Sequence, residues 1–101
     1  MNREIERQRL AAKKAHRLAL SGDVERLMGV LKHESPEVWQ SYSRTVAQEG
    51  QIEADTFNTI HQTVLRLFDA PGTEQICDLL RRMLEMTRSE LGMPPFPDLY
   101  E

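Results

Sequence analysis

The chain has few of the residues that build disulfide scaffolds, aromatic cores or membrane spans. Cys77 is its only cysteine, so an internal disulfide is excluded. Only six of the 101 residues are aromatic, so a core has to be built mainly from aliphatic and methionine side chains. The longest apolar stretch is 27–31, far short of the roughly 20 residues that cross a bilayer. A secretory signal has an apolar segment after its basic residues, and no such segment follows the basic N-terminus here. We therefore expect a cytoplasmic protein without a membrane partner.

Catalytic and metal-binding motifs are also missing. The sequence has no nucleophile elbow, no glycine-rich phosphate loop and no Cys pair. Its three histidines, His16, His33 and His61, do not stand four residues apart, which is the spacing of paired metal ligands on a helix. We therefore expect no enzyme activity, no metal site and no cofactor.

The charge is divided unevenly along the chain. Residues 1–20 contain six basic and two acidic side chains, or +4, whereas residues 21–101 contain seven basic and fourteen acidic ones, or −7. Arg9, Lys13 and Arg17 are spaced to form one ridge of a helix. This ridge is a candidate for binding an acidic partner, and a solvated helix or one lying on the protein's own acidic body is the alternative explanation.

Apolar spacing and helix-ending signals predict an all-α fold with five helices, at 3–20, 23–33, 36–49, 54–69 and 74–91. Gly22, Gly50 and Gly92 are each expected to end a helix in the left-handed conformation. Residues 1–92 would form one helical domain with its bundle core in 23–91, and the last two helices would pack as an antiparallel hairpin. A Pro-rich segment, 93–101, would be an extended tail.

The helix predicted at 54–69 carries no Asp, Glu, Lys or Arg between Thr56 and Leu65. So little charge over ten residues indicates a helix that is shielded on more than one side, inside the monomer or at a homodimer interface. The candidate anchor for a partner consists of three residues of its apolar stripe and the histidine beside them: Phe57, Ile60, Val64 and His61.

The tail supplies the last candidate contacts, Phe96 and Tyr100. Its prolines favour an extended conformation. The tail either folds back onto the bundle or inserts into a groove of a partner.

These features favour a small regulatory protein that binds another protein and occludes its surface, in the manner of an anti-activator. The alternative is a DNA-binding regulator that uses the basic helix or a degenerate helix-turn-helix at 46–64. Glu53 and Asp55 oppose the second form, because they would face the phosphates at the start of its recognition helix.

Overall fold

Four helices account for most of residues 3–95, the part of the chain that the computed structural model describes. They are α1 (Arg3–Glu34), α2 (Pro36–Ala47), α3 (Ala54–Leu67) and α4 (Thr73–Glu90). Residues 3–95 contain no β-strand. The all-α prediction is confirmed, whereas the predicted number of five helices is wrong.

The difference lies in α1, which runs without interruption through the expected break at Gly22. An added Cβ at Gly22 would meet no atom within 4 Å, and the residue is exposed in the middle of the helix. Leu20 and Val24 on either side of it are both buried. Because the buried stripe continues across Gly22, the gain from packing outweighs the roughly 1 kcal/mol that a glycine costs in a helix.

Two helix ends show left-handed caps. At the end of α4, Gly92 has a φ of 70° and the Met93 N–H donates to the Arg88 carbonyl at 2.9 Å, as in a Schellman motif. The prediction for Gly92 is therefore confirmed. After α2 the left-handed residue is Glu49, with a φ of 52°, rather than the predicted Gly50, which follows it. The helix ends one residue earlier than its glycine suggested.

The second half of α1 is the centre of the core. It contacts each of the other three helices, and its contact with α4 is the most extensive in the molecule. Eleven hydrophobic side chains of the described region are buried, five of them from α1 and two from each of the others: Leu20, Val24, Leu27, Met28, Leu31, Tyr42, Val46, Ile60, Val64, Leu79 and Met83.

α1 and α4 run side by side in the same direction. Near its start α4 places Asp78 at 3.6 Å from His16 of α1. Near its end Glu90 lies 3.3 Å from Lys32. Both pairs advance together along the two helices, so the first and last helices are parallel neighbours.

α3 and α4 do not form the predicted hairpin. α3 packs on α1 and α2, and α4 packs on the same two helices, but α3 and α4 make at most marginal contact with each other. A hydrogen-bonded pair of hydroxyls, Ser41 and Thr56 at 3.2 Å, joins α2 to the start of α3. The short connection 68–72 therefore leads from one side of the α1–α2 pair to the other.

Candidate partner-binding surfaces

The N-terminal part of α1 extends beyond the bundle as an arm. Every side chain from Arg3 to His16 is exposed. Thr73, the first residue of α4, stands five residues before Asp78, which contacts His16. α4 therefore begins at about the level of Ala11, and residues 3–10 continue roughly 12 Å further at 1.5 Å per residue. We call residues 3–16 the basic arm.

The predicted basic ridge lies only partly on this arm. Arg9 and Lys13 are exposed, whereas Arg17 is half-buried where α1 meets the bundle. Lys13 and Arg17 both have interactions within the protein. The neighbouring His16 faces Asp78 of α4. The ridge thus begins in solvent at Arg9 and reaches the bundle at Arg17.

The arm carries further charge outside that ridge. Arg3, Arg7 and Lys14 are also exposed, and only Glu4 and Glu6 oppose them. A helical segment whose side chains are all exposed and that bears five basic residues presents a positive potential to any acidic surface that approaches.

Exposed apolar side chains accompany these charges on α1. Ile5, Leu10 and Leu18 are 47%, 60% and 75% exposed. No other large hydrophobic side chain in the described region is as exposed as Leu18. The arm therefore offers apolar contact area as well as charge.

α3 supplies the second candidate surface, but with different residues from those predicted. Ile60 and Val64 are 1% and 0% exposed and belong to the core, so they are unavailable to a partner. Phe57 is 44% exposed and stacks on half-buried His61, with ring centroids 6.1 Å apart. Leu65, which the sequence reasoning missed, is 42% exposed. The spacing could have identified Leu65, because it stands four residues after His61 on the same ridge of the helix.

The neutral residues beside this stripe form the wall of an open groove. The groove has a volume of about 850 Å³ and lies between α3 and the end of α1. Its lining is polar: His33, Glu34, Ser35, Asn58, Thr59, Gln62, Thr63 and Arg66. Thr63 is buried, but Asn58 and Gln62 remain exposed. The shielding expected for this helix is therefore not supplied to Asn58 and Gln62 by the described residues.

A charged pair closes one end of the groove. Arg66 of α3 donates to the carboxylate of Glu34 at the end of α1. Both side chains stay about half exposed. The pair therefore links the two helices at the surface but contributes little to the stability of the fold.

The start of the tail is anchored. Arg88 donates to the Pro94 carbonyl at 2.9 Å and lies 3.7 Å from the Glu49 carboxylate. Met93 packs against the core. The chain is thus held as far as Pro94, while the predicted contacts Phe96 and Tyr100 lie outside the described residues.

One buried polar group sits in the core. The Tyr42 side chain is 2% exposed, and its hydroxyl has no partner with hydrogen-bond geometry. Burial raises the pKa of Tyr42, and the nearby Thr87 hydroxyl offsets part of that rise. Thr87 itself donates to the Met83 carbonyl at 2.7 Å. The Tyr42 side chain is thus part of the hydrophobic core.

The described residues give little support for a metal site, for a cysteine in the groove or for a membrane span. Across 3–95, no three His, Cys, Asp or Glu side chains lie close enough together to hold a metal ion. Cys77 is exposed and, like His61, does not line the groove. No helix in this range is both long enough and apolar enough to span a bilayer.

Comparison of the chain with protein-family models, with curated proteins and with solved structures gives no match in any of the three. The two exposed surfaces are therefore the features of the molecule that bear on its function.

Proposed function

We propose that this protein is a non-catalytic regulatory module that binds another protein through its basic arm and occludes part of that partner's surface. The observation that carries the proposal is the exposure of the whole arm, 3–16, on an otherwise acidic chain. A helix held out by packing at its other end is already ordered. Binding through it therefore costs less conformational entropy than binding through a disordered segment.

The partner's chemistry follows from the charges. A basic arm on a body of opposite sign is attracted to an acidic surface, while the body is repelled by it, so the arm is oriented towards the partner during approach. Ile5 and Leu10 then supply apolar area for the contact itself. Cys77 is the only cysteine, so the fold does not depend on an internal disulfide, and we place this action in the reducing environment of the cytoplasm.

Charge reversal on the arm tests the proposal. Arg3, Arg7 and Arg9 are replaced together by Glu, and proteins captured from a lysate of the source organism are identified by mass spectrometry. The wild type is expected to retain a partner with an acidic surface, and the triple variant to lose it.

The matched control reverses the same amount of charge away from the arm. Arg26, Arg44 and Arg81 are exposed residues of the bundle. Their triple replacement by Glu is expected to leave capture unchanged, because it alters net charge without altering the arm. If both triple variants lose the partner equally, net charge rather than the arm drives binding, and the proposal fails.

Duplex DNA is the second candidate partner, because an exposed basic helix also suits phosphate. The helix-turn-helix form of this idea has less support than the arm. α2 and α3 are separated by six residues, 48–53, where that motif has a turn of about 3–4. Phe57 would occupy a buried position in the second helix of such a motif, but here it is 44% exposed.

A gel-shift experiment decides between the two partners. DNA binding predicts a shift of a short duplex by micromolar protein at about 50 mM salt, weakening steeply as salt rises. The protein-partner proposal predicts no shift under those conditions.

A further inference from the structure

The second surface, on α3, is independent of the arm and points to a different partner. Phe57, His61 and Leu65 form one ridge at intervals of four residues, and exposed Asn58 and Gln62 begin the next ridge. We call these five residues the neutral face. We infer that the neutral face binds the same face of a second copy of this chain, with the two α3 helices antiparallel.

The composition of the face excludes other kinds of partner. None of its five residues is a lysine or arginine, and the one guanidinium beside it, that of Arg66, is already paired with Glu34, so the face is poorly suited to phosphate. Its amides and imidazole are too polar for the interior of a lipid layer. An exposed aromatic ring and a leucine among uncharged polar groups, with charge depleted, match the centre of a protein–protein interface.

Symmetry and charge then select a second copy in one orientation. A two-fold contact requires a patch that is complementary to itself. Phe57 and Leu65 each stand four residues from His61, so an antiparallel pair centred on His61 places each Phe57 opposite the partner copy's leucine. Just beyond the neutral segment stand Asp55 at one end and Arg66 at the other.

The two flanking charges decide between the orientations. Antiparallel helices bring Asp55 of each copy towards Arg66 of the other, whereas parallel helices would bring like charges together. Arg66 is 59% exposed while it contacts Glu34, so its guanidinium remains within reach of a second carboxylate. An uncharged contact area also avoids the repulsion that two chains of net charge −3 would otherwise face.

Sedimentation equilibrium of the pure full-length protein gives the first test. The wild type is expected to be largely dimeric at about 100 µM. Leu65→Glu and Gln62→Arg are each expected to weaken the dimer about tenfold or more. The first replaces the apolar contact with the partner copy's Phe57 by a carboxylate close to that copy's Asp55, and the second brings two guanidinium groups together near the two-fold axis. Leu18→Glu is the matched control. It changes another exposed leucine, on α1, and should leave the dimer unchanged.

Cysteine cross-linking tests the orientation, in a Cys77→Ser background that removes the native thiol. Position 61 should meet itself, so His61→Cys should form a disulfide-linked dimer. Two copies of Phe57→Cys would lie about 12 Å apart along the helices, beyond the reach of roughly 7 Å for a disulfide, and should not. An equal mixture of Phe57→Cys and Leu65→Cys should cross-link.

Three results would overturn the inference. They are a monomer at about 100 µM, a dimer that Leu65→Glu and Gln62→Arg leave intact, and self-linking at position 57 faster than at position 61. Circular dichroism of each variant confirms that it is folded. Neither measurement involves the arm, so failure here is distinct from failure of the proposed function.

Discussion

Replacing Gly22 by alanine distinguishes a continuous α1 from a helix that breaks at Gly22, because the two structures predict changes of opposite sign in the free energy of unfolding. If the chain broke at Gly22 in a left-handed conformation, a Cβ there would be strained and the protein would be destabilised. In the continuous helix the same Cβ meets no atom within 4 Å. Alanine is then favoured, because it restricts the unfolded chain and has the higher helix propensity.

The expected gain follows from the position of Gly22 in the helix. Alanine in a helix interior is worth roughly 0.5–1 kcal/mol over glycine. Buried Leu20 and Val24 flank the site, so this part of α1 unfolds with the bundle and the gain should appear in the global free energy of unfolding. Gly29, equally open, lies seven residues on. The double variant should therefore gain roughly 1–2 kcal/mol, since well-separated sites add.

Urea denaturation followed by far-ultraviolet circular dichroism measures these changes, and thermal melting should show a rise of about 4–8 °C per kcal/mol. Gly92→Ala is the opposite control. With a φ of 70° at that residue, alanine there should cost about 1 kcal/mol or more. Destabilisation by Gly22→Ala comparable to that by Gly92→Ala would refute a continuous α1.

Two further substitutions test local features of the fold. Glu49→Gly should raise the free energy of unfolding by about 0.5–1 kcal/mol in urea denaturation, because Glu49 is left-handed at a φ of 52°. Glu49→Ala loses the same carboxylate but keeps the backbone strain, so it should show no gain in stability. Equal effects of the two substitutions would contradict the explanation. Tyr42→Phe should be neutral or stabilising at pH 7, because the buried hydroxyl has no hydrogen-bond partner. Since the pKa of Tyr42 is raised in the folded protein, the wild type should lose stability as the pH rises above about 10, where the unfolded chain ionises first. The phenylalanine variant should lose less over that range, and identical pH profiles in urea denaturation would argue against a buried, neutral phenol.

The sequence was most informative where apolar spacing and chain geometry agree. Pro36 begins α2 after Ser35, as predicted, because a proline suits the first turn of a helix. Gly92 ends α4 because the chain there needs a positive φ. Gly22 misled the prediction because glycine permits a helix to end but does not require it. The buried stripe through Leu20 and Val24 already ran across that glycine and was the stronger signal.

The sequence pointed to α3 and to the basic N-terminal helix as candidate surfaces, but not to which of their residues are exposed. The lack of charge on α3 was visible in the sequence. Which side of the stripe faces outwards depends on where α1 and α2 lie, and that information is tertiary. Ile60 and Val64 therefore proved to be core, while Leu65 was overlooked. The exposure of the basic arm likewise depends on where α4 begins, which the charge pattern of 1–20 does not specify.

The parallel pairing of α1 with α4 has a consequence for how the protein is made. The largest helix–helix contact in the described region joins α1 to α4, which leaves the ribosome only after α2 and α3. During synthesis the apolar side of α1 between Leu20 and Leu31 stays incompletely covered until Met83 has emerged. A nascent chain that stalls after α3 would thus expose an unfinished core, which makes it a candidate substrate for chaperones that bind apolar segments.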